Sequence, residues 1–283
     1  MILSISRRTD IPAFYSEWFY QRVEEGYLIT QNPMNPKQRR RIELNDQISC
    51  LVFWSKNPEP MVERLKEIDH FNYYFHFTLN AYGTDIEPNL PSLDSRIKTY
   101  IDLARKIGNK RVIWRYDPIL LNGQYSTEFH IDSFAKIAKS LSPYLSKCVI
   151  SFIDTYPVNK KKLEQHSIHA PSADEIKTIV NELTKIAFEY DFLIETCAEQ
   201  SSLEDFGICH GHCIDKKLIE SEFNVKLNEK KDNYLRENCG CVQSIDVGAY
   251  STCLNQCIYC YAQHNQNKSK YCFVDSPLMC GVE

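Results

Sequence analysis

The chain has 283 residues, of which 43% are hydrophobic and 25% are charged, and its net charge is −4. These values are typical of a globular protein with a substantial core, and they exclude a uniformly basic surface for nucleic acid. The amino terminus MILSISRRTD places its short apolar run before its arginines, so we expect no signal peptide. Since no apolar stretch approaches the ~20 residues of a membrane span, we expect a cytoplasmic protein without a membrane partner.

Short apolar runs rich in β-branched and aromatic residues alternate with helical patterns, which predicts buried strands of a parallel sheet. The runs are MILSIS, SCLVFW, YYFHFTL, RVIWRY, CVISFI, FLIETC and SIDVGAY. Seven such strands predict an α/β fold, namely a parallel (β/α) barrel of TIM-like type, complete or partial, in one domain over residues 1–283. An open doubly wound sheet is the alternative, but the sequence contains no G-x-G-x-x-G phosphate loop to support it.

Three of the predicted helices carry boundary signals. The signals are a proline in the first turn or a serine N-cap at the start, and a glycine directly after the last turn. The first helix begins near Pro12 and ends at Gly26, and the second begins after Ser92 and ends at Gly108. The third helix begins with a capping box of Ser172 and Glu175.

Cysteines are concentrated in the last third of the chain. Of the 12 cysteines, only Cys50 and Cys148 precede residue 196, and both lie in strand-like runs typical of core positions. Clustered cysteines without an export signal indicate metal binding more than disulfides. Several of them lie in the polar segment 201–240, which we interpret as a long insertion between the last two strands.

The carboxyl ends of the predicted strands are unusually polar. One polar strand end is ordinary because strand ends meet water, but six in one sheet indicate a shared site at the mouth of a barrel. The candidate catalytic residues are Arg7, Asp10, Lys56, Arg115, Asp117 and Glu195. The candidate cofactor-binding residues at these ends are Asn80, Arg115 and Ser151.

Three further cysteines follow the last predicted strand directly. Cys253, Cys257 and Cys260 form a C-x3-C-x2-C motif within STCLNQCIYCYAQ, residues 251–263. Structural zinc requires four ligands, whereas three thiolates suit a four-iron cluster whose fourth iron stays open for another ligand. A zinc site and three unrelated core thiols are the alternatives.

This motif resembles the cluster motif of the radical SAM superfamily, and CIYCYA resembles its spore photoproduct lyase and DNA repair photolyase-like branch. The resemblance implies that Cys253, Cys257 and Cys260 bind a [4Fe–4S] cluster and that Tyr259 lies near the adenine of S-adenosylmethionine. It further implies reductive cleavage of that cofactor, hydrogen abstraction from a substrate, and an electron donor such as flavodoxin or ferredoxin.

The position of the motif differs from that superfamily, where the cluster loop follows the first strand. Because the first and last strands of a barrel are neighbours, we predict a circularly permuted barrel, with the strand near 244–250 parallel to the strand near 1–6. The segments SRRTDIPAFY, FWSKNP and RYDPI, with the terminal cysteine motif, resemble the domain of unknown function 1848 family over nearly the whole chain. That family supplies no established reaction.

A second set of cysteines precedes the last strand. Cys197, Cys213, Cys239 and Cys241, with Cys209 in reserve, are candidates for a second [4Fe–4S] cluster or a structural zinc site. C-x-C pairs are uncommon in zinc half-sites, and many radical SAM enzymes carry auxiliary clusters, so we favour the cluster.

The sequence thus predicts a radical SAM enzyme acting on a small molecule, a peptide or a nucleotide. Two alternatives remain: nucleic-acid lesion repair of photolyase-like type, and a non-catalytic zinc-binding barrel protein. The acidic balance does not favour binding of long nucleic acid. The one basic run, residues 37–41, is of a kind that usually lies in a solvated loop.

Overall fold

The computed structural model describes residues 1–199, 202–236, 238–264 and 268–280, so residues 201 and 237 of the predicted insertion lie outside the described part. The described strands are β1 Ile2–Ile5, β2 Tyr27–Asn32, β3 Asn35–Glu43, β4 Cys50–Ser55, β5 Tyr73–Thr78, β6 Val112–Ile119, β7 Lys147–Phe152, β8 Leu193–Thr196, β9 Cys209–His210 and β10 Ile245–Asp246. The described α-helices are α1 Ile11–Phe14, α2 Ser16–Glu25, α3 Glu59–Val62, α4 Leu93–Ile107, α5 Thr127–Leu141, α6 Lys160–Gln165, α7 Ala173–Glu189 and α8 Lys216–Phe223.

Eight of these strands form one parallel sheet, which confirms the predicted α/β class. The strand order is β10-β1-β4-β5-β6-β7-β8-β9, and every neighbouring pair is parallel. Strands β10 and β9 are the two edges, and the described residues form no ladder between them. The structure therefore shows a large parallel sheet, and closure into a complete barrel is not part of it.

Strands β1 and β10, which come first and last along the chain, are neighbours in the sheet, as predicted. Leu3 pairs with Ile245 and Ser4 pairs with Asp246 in a parallel register. The Asp246 carboxylate also accepts hydrogen bonds from the Ser4 hydroxyl at 3.0 Å and the Ser6 hydroxyl at 2.6 Å. Only two residues of the predicted run SIDVGAY form a strand, so side-chain bonds contribute much of this pairing.

The helix signals hold, with one difference. The segment opened by Pro12 is divided into α1 and α2, because Tyr15 leaves the helical conformation with φ −135° and ψ 26°. Gly26 ends α2 in the left-handed region at φ 78°, where a residue without Cβ is favoured. The other signals are confirmed: Ser92 caps α4, Gly108 follows its last turn, and Ser172 with Glu175 forms the capping box of α7.

The two faces of the sheet bury different neighbours, since successive strand side chains point to opposite sides. One face packs against the helices and forms the main core, with Phe53, Phe75 and Trp114 at its centre. The other face packs against the insertion. There the strands contribute Ile2, Val52, Tyr74, Ile113 and Val149, and the insertion contributes Ile214, Ile219 and Leu227. The insertion therefore covers the face that a barrel would enclose.

Two elements are absent from the sequence-based prediction. Strands β2 and β3 form a separate antiparallel hairpin that carries the basic run 37–41, and β9 is a two-residue strand inside the insertion. The run lies in a strand because the residue that follows it, Ile42, pairs with Leu28 and both are buried. No helix in the described ranges has the length and apolar character needed to cross a membrane.

Candidate functional site

A cavity of about 490 Å³ opens at the carboxyl ends of the parallel strands. This is the end of a parallel sheet at which ligands usually bind. Most of the predicted site residues line it, namely Arg7, Asp10, Lys56, Arg115, Asp117, Ser151 and Tyr259. Both predicted cysteine sets line it as well. We call Cys253, Cys257 and Cys260 the loop thiols, and Cys197, Cys213, Cys239 and Cys241 the dispersed thiols.

Two of the three loop thiols have backbone donor groups directed at their sulfurs. The backbone N–H groups of Asp10 and Asn255 donate to Cys253, and those of Ala262 and Gln263 donate to Cys260. Burial is the main cause that raises the pKa of the Cys253 thiol to about 12, and the neighbouring Asp10 and Cys260 add to it. Hydrogen bonds donated to sulfur are typical of metal-bound thiolates, so this donor set fits a thiolate-ligated cluster.

Backbone and side-chain bonds fix the loop that carries these thiols. Ile258 donates its N–H to the Ile86 carbonyl at 3.0 Å, and the Asn159 amide donates to the Tyr259 carbonyl at 2.9 Å. The Tyr259 hydroxyl donates to the Glu87 carboxylate. Loop thiols therefore face the cavity because the residues between them are tied to neighbouring strand-end segments.

Glu87 is a functional candidate that the sequence analysis missed. It is 1% exposed, and its carboxylate accepts a hydrogen bond from Lys56 Nζ at 2.7 Å, while Arg96 Nη1 lies 3.8 Å away. Burial alone raises the pKa of Glu87, but Lys56 and Arg96 outweigh burial and hold that pKa below its ordinary value. The available sequence signal is the Glu-Pro step in the loop after YYFHFTLN. A carboxylate that is buried in the folded protein needs cations beside it, and Lys56 and Arg96 supply them.

Lys56 is the cation of this network that faces the cavity. Its side chain is 13% exposed, and its ammonium group lies 5.4 Å from the centre of the Tyr259 ring. Burial alone lowers the pKa of Lys56, but Glu87 and the Cys257 thiol raise it above its ordinary value. Lys56 thus stays charged beside the loop thiols and can bind an anionic group there.

Asp10 joins three segments of the site. Its carboxylate accepts hydrogen bonds from the Ser55 hydroxyl at 2.7 Å, the Lys56 N–H at 2.8 Å and the Asn255 amide at 3.0 Å. It also caps α1 through the Ala13 N–H at 3.1 Å. With its oxygens bonded in this way, Asp10 holds the end of β4 and the cysteine loop in place.

Arg115 connects the centre of the cavity to the dispersed thiols. Its guanidinium pairs with Asp117, which also accepts a hydrogen bond from the Ser151 hydroxyl. Arg115 Nη1 lies 2.9 Å from Cys213 Sγ, and the guanidinium stands 5.3 Å from the centre of the Trp54 ring. Arg115 therefore presents a fixed cation to both the cavity and the thiols.

The dispersed thiols meet in a row. Cys197 Sγ lies 3.4 Å from Cys213 Sγ, Cys213 contacts Cys241, and Cys241 contacts Cys239. In the described ranges no group of three or more His, Cys, Asp or Glu side chains is arranged around a single metal ion. The fold therefore brings the four predicted ligands together, but as a row of contacting thiols.

Several predicted residues lie outside the cavity. Asn80 is buried behind it, where its amide donates to the Asp117 carbonyl at 2.9 Å and its oxygen accepts from the Asp117 N–H at 2.9 Å. Glu195 pairs with Lys147 at 2.9 Å and does not line the cavity. The reserve ligand Cys209 is exposed on β9, away from the row. In the tail, the side chains of Cys272 and Cys280 lie against each other.

The fold and the cavity together define a parallel α/β protein with a cysteine-lined site at the carboxyl ends of its strands. The chain belongs to the family described as Domain of unknown function (DUF1848), whose profile matches residues 2–262. The matched segment contains both groups of thiols.

Comparison with characterised proteins adds little. No protein in the curated set matches this sequence. A crystal structure from Bacteroides thetaiotaomicron, provisionally named an alpha-L-fucosidase, aligns with a TM-score of 0.32 at 8% identity over 71% of this chain. The chain covers 57% of the length of that protein, and a likeness at this level carries no argument about function.

Proposed function

We propose that this protein is a radical SAM enzyme in circularly permuted order, with the loop thiols holding a [4Fe–4S] cluster. The observation that supports it is the convergence of three thiols on a cavity at the carboxyl ends of parallel strands, with backbone N–H groups directed at the sulfurs of Cys253 and Cys260. Three protein ligands leave one iron open, which is the ligand count that S-adenosylmethionine completes.

The loop thiols would hold the cluster, which together with S-adenosylmethionine would supply radical chemistry for removing a hydrogen atom from the substrate. The protein supplies binding, orientation and exclusion of water. Lys56, kept charged by Glu87, binds a carboxylate of the cofactor or the substrate. Tyr259 closes the cavity beside the loop thiols, and its fixed hydroxyl prevents the ring from turning away.

Arg115, Asp117 and Ser151 form the polar wall across the cavity. The Asp117 carboxylate is already bonded to Arg115 and Ser151, which keeps it ionised, and the pKa of Asp117 is lowered although burial alone raises it. An ionised acceptor of this kind binds hydroxyl or amine groups of a ligand. Trp54 and Ile153 line the apolar part.

The substrate we propose is a small molecule, a peptide segment or a nucleotide, since a cavity of this volume suits a small ligand. The basic run 37–41 lies on the hairpin β2–β3 and is not among the residues that line the cavity. An electron donor such as flavodoxin or ferredoxin and a reducing cytoplasm belong to this proposal.

Anaerobic reconstitution followed by reduction tests the proposal. We expect the reduced protein to convert S-adenosylmethionine to 5′-deoxyadenosine, measured by chromatography. A triple variant, Cys253→Ala with Cys257→Ala and Cys260→Ala, should lose this activity completely and bind about four fewer irons per chain.

The matched control is Cys209→Ala, which removes an exposed thiol outside the cavity and should leave turnover unchanged. Cofactor cleavage that persists in the triple variant would overturn the assignment of the loop thiols. A protein that takes up no iron would favour the alternative of a non-catalytic zinc-binding protein.

A further inference from the structure

The dispersed thiols come from three separate segments and still touch one another. Cys197 follows β8, Cys213 precedes α8, and Cys239 and Cys241 precede β10. The sulfur–sulfur distance between Cys197 and Cys213 is 3.4 Å, and the contacts continue through Cys241 to Cys239. Random packing of core cysteines does not bring four thiols from three segments into an unbroken row.

Hydrogen-bond donors are directed at the sulfurs of this row. Arg115 donates to Cys213 Sγ at 2.9 Å, and the backbone N–H of Ile214 donates to Cys241 Sγ at 3.3 Å. The Cys213 carbonyl is held by the Tyr74 hydroxyl at 2.6 Å and by His76 Nε2 at 2.7 Å. The central cysteine is therefore fixed in place, and its sulfur faces a cation that stabilises a thiolate.

The charge around the row also suits an anionic centre. Four thiolates around one Zn²⁺, or around a [4Fe–4S]²⁺ core, carry a net charge of about −2 by formal counting. Two guanidinium groups face the row: Arg115 at Cys213 and Arg7, which lies close enough to Cys241 and Cys213 to interact with both. Both cations also stand near the indole of Trp54, at 5.3 and 5.9 Å from the ring centre.

The second half of the insertion has little apolar surface to hold it on the sheet. The insertion buries Leu203 and Ile208 in the main core and Ile214, Ile219 and Leu227 on the other face, whereas residues 228–236 are largely exposed. A segment of this kind needs a further tie, and metal bonds to thiolates contribute folding free energy directly. The dispersed thiols lie where such a tie would join β8, the insertion and β10.

We propose that the dispersed thiols bind a tetrathiolate metal centre that fixes the insertion over the cavity, separate from the loop thiols. Zinc–sulfur bonds of 2.3 Å place the sulfurs of a tetrahedral centre about 3.8 Å apart, which is close to the observed 3.4 Å contact. The row must fold around the ion to bind it. A four-iron cluster would spread the same thiols farther apart. This centre does not depend on the radical chemistry proposed for the loop thiols.

Native mass spectrometry and metal analysis of the loop triple variant test the proposal without any change to the dispersed thiols. We expect this variant to retain one zinc per chain, the ion that the spacing favours, or about four irons with matching sulfide if the thiols take a cluster. Either result supports the tetrathiolate centre and identifies its metal. A variant that holds no metal, with all four dispersed thiols open to alkylation, would overturn it.

Two substitutions in the loop triple variant then locate the centre. Cys213→Ala should abolish the retained metal, whereas Cys209→Ala, an exposed neighbour outside the row, should leave it unchanged. Arg115→Gln should weaken metal retention against a chelator about 10–100-fold, as for other groups that support metal ligands. Metal retained in full after Cys213→Ala would contradict the assignment. Because cofactor cleavage and metal retention are measured separately, failure of one proposal is distinguishable from failure of the other.

Discussion

The loop thiols and the dispersed thiols line the same cavity, but the chain brings them there in different ways. The loop thiols lie within residues 253–260, and the strand before them delivers the whole set to the cavity. The dispersed thiols span residues 197–241 and meet only after β8, the insertion and β10 are in place. A local motif therefore depends on how one loop is anchored, whereas a dispersed site depends on the packing of several segments.

The largest expected effect comes from the anchor of the loop. Glu87→Ala removes the carboxylate that binds Lys56 and Tyr259, and it leaves Lys56 and Arg96 without their buried partner. Loss of one partner from a buried ion pair costs about 3–5 kcal/mol of the free energy of unfolding. Urea unfolding of the reduced apoprotein measures this loss.

The matched control is Glu63→Ala, which breaks an exposed pair with Lys106 at 3.0 Å. An exposed pair contributes about 0–1 kcal/mol, so this variant should unfold close to the wild type. Equal effects of the two substitutions would show that Glu87 does not anchor the loop, and the contrast between the two thiol groups would lose its basis.

The next largest effect is a loss of unfolding free energy at acid pH. It limits the pH range in which the loop thiols and the dispersed thiols can be compared. Burial holds the pKa of His130 at about 4, below its ordinary value of 6.5, with Nε2 donating to the Leu120 carbonyl at 2.8 Å. As the pH falls below 6.5, the unfolded chain takes up a proton that the folded protein refuses. His130 should therefore account for about 3 kcal/mol of the unfolding free energy that the apoprotein loses between pH 6.5 and 4, and this contribution levels off below pH 4. Burial also lowers the pKa of His76, which adds to the loss in the same direction.

Unfolding of His130→Gln over this pH range measures that contribution. The variant should show a loss that is smaller than that of the wild type by about 3 kcal/mol, and His70→Gln, an exposed histidine, should behave as the wild type does. If His130→Gln keeps the full acid sensitivity, the loss has another source. Metal release from the loop thiols and from the dispersed thiols must then be compared above pH 6.5, where acid does not destabilise the folded protein.

A smaller effect is expected at the junction of the first and last strands. A Cβ atom on Gly248 would overlap Ser6 Oγ and stand 2.6 Å from Ser6 Cβ. Gly248→Ala should therefore push β10 from β1 and cost about 1–3 kcal/mol. Metal analysis should show weaker retention by the loop thiols, which directly follow this strand, and little change at the dispersed thiols.

Gly123→Ala is the control for this substitution, because a Cβ atom there meets nothing within 4 Å. It should leave stability and both metal contents unchanged. Equal loss of metal from both thiol groups in Gly248→Ala would show that the strand junction supports the whole cavity and that the two groups are not separately anchored.

The smallest effect is expected where the insertion reaches across the cavity. Arg236 pairs with Asp154 at 2.7 Å, and both side chains are 51% exposed. Arg236→Ala should change the unfolding free energy by less than about 1 kcal/mol.

Limited proteolysis is a more sensitive measurement of how the insertion is held. We expect faster cleavage in residues 228–236 when the dispersed thiols are metal-free. Unchanged cleavage in the metal-free protein would show that the insertion is held without the thiols.

The sequence by itself determined the strands of the parallel sheet except β9, the class of fold and the loop motif. Apolar runs such as SCLVFW are buried on both faces of a parallel sheet, so their composition alone identifies them. The spacing of Cys253, Cys257 and Cys260 is likewise local, and helix boundaries such as Ser92 depend on the neighbouring residues only. The adjacency of the first and last strands followed from the geometry expected of a barrel.

Only the tertiary structure decided which polar residues share the cavity and in what arrangement. Glu195 follows the same pattern as Arg115 at a strand end, yet it pairs with Lys147 away from the cavity. Glu87 lies in a loop without periodicity and reaches the site through Lys56 and Tyr259. The order of contacts in the row of dispersed thiols is likewise decided only by the tertiary structure. Such contacts join residues far apart in the chain, and they depend on side-chain direction and burial, which no local pattern encodes.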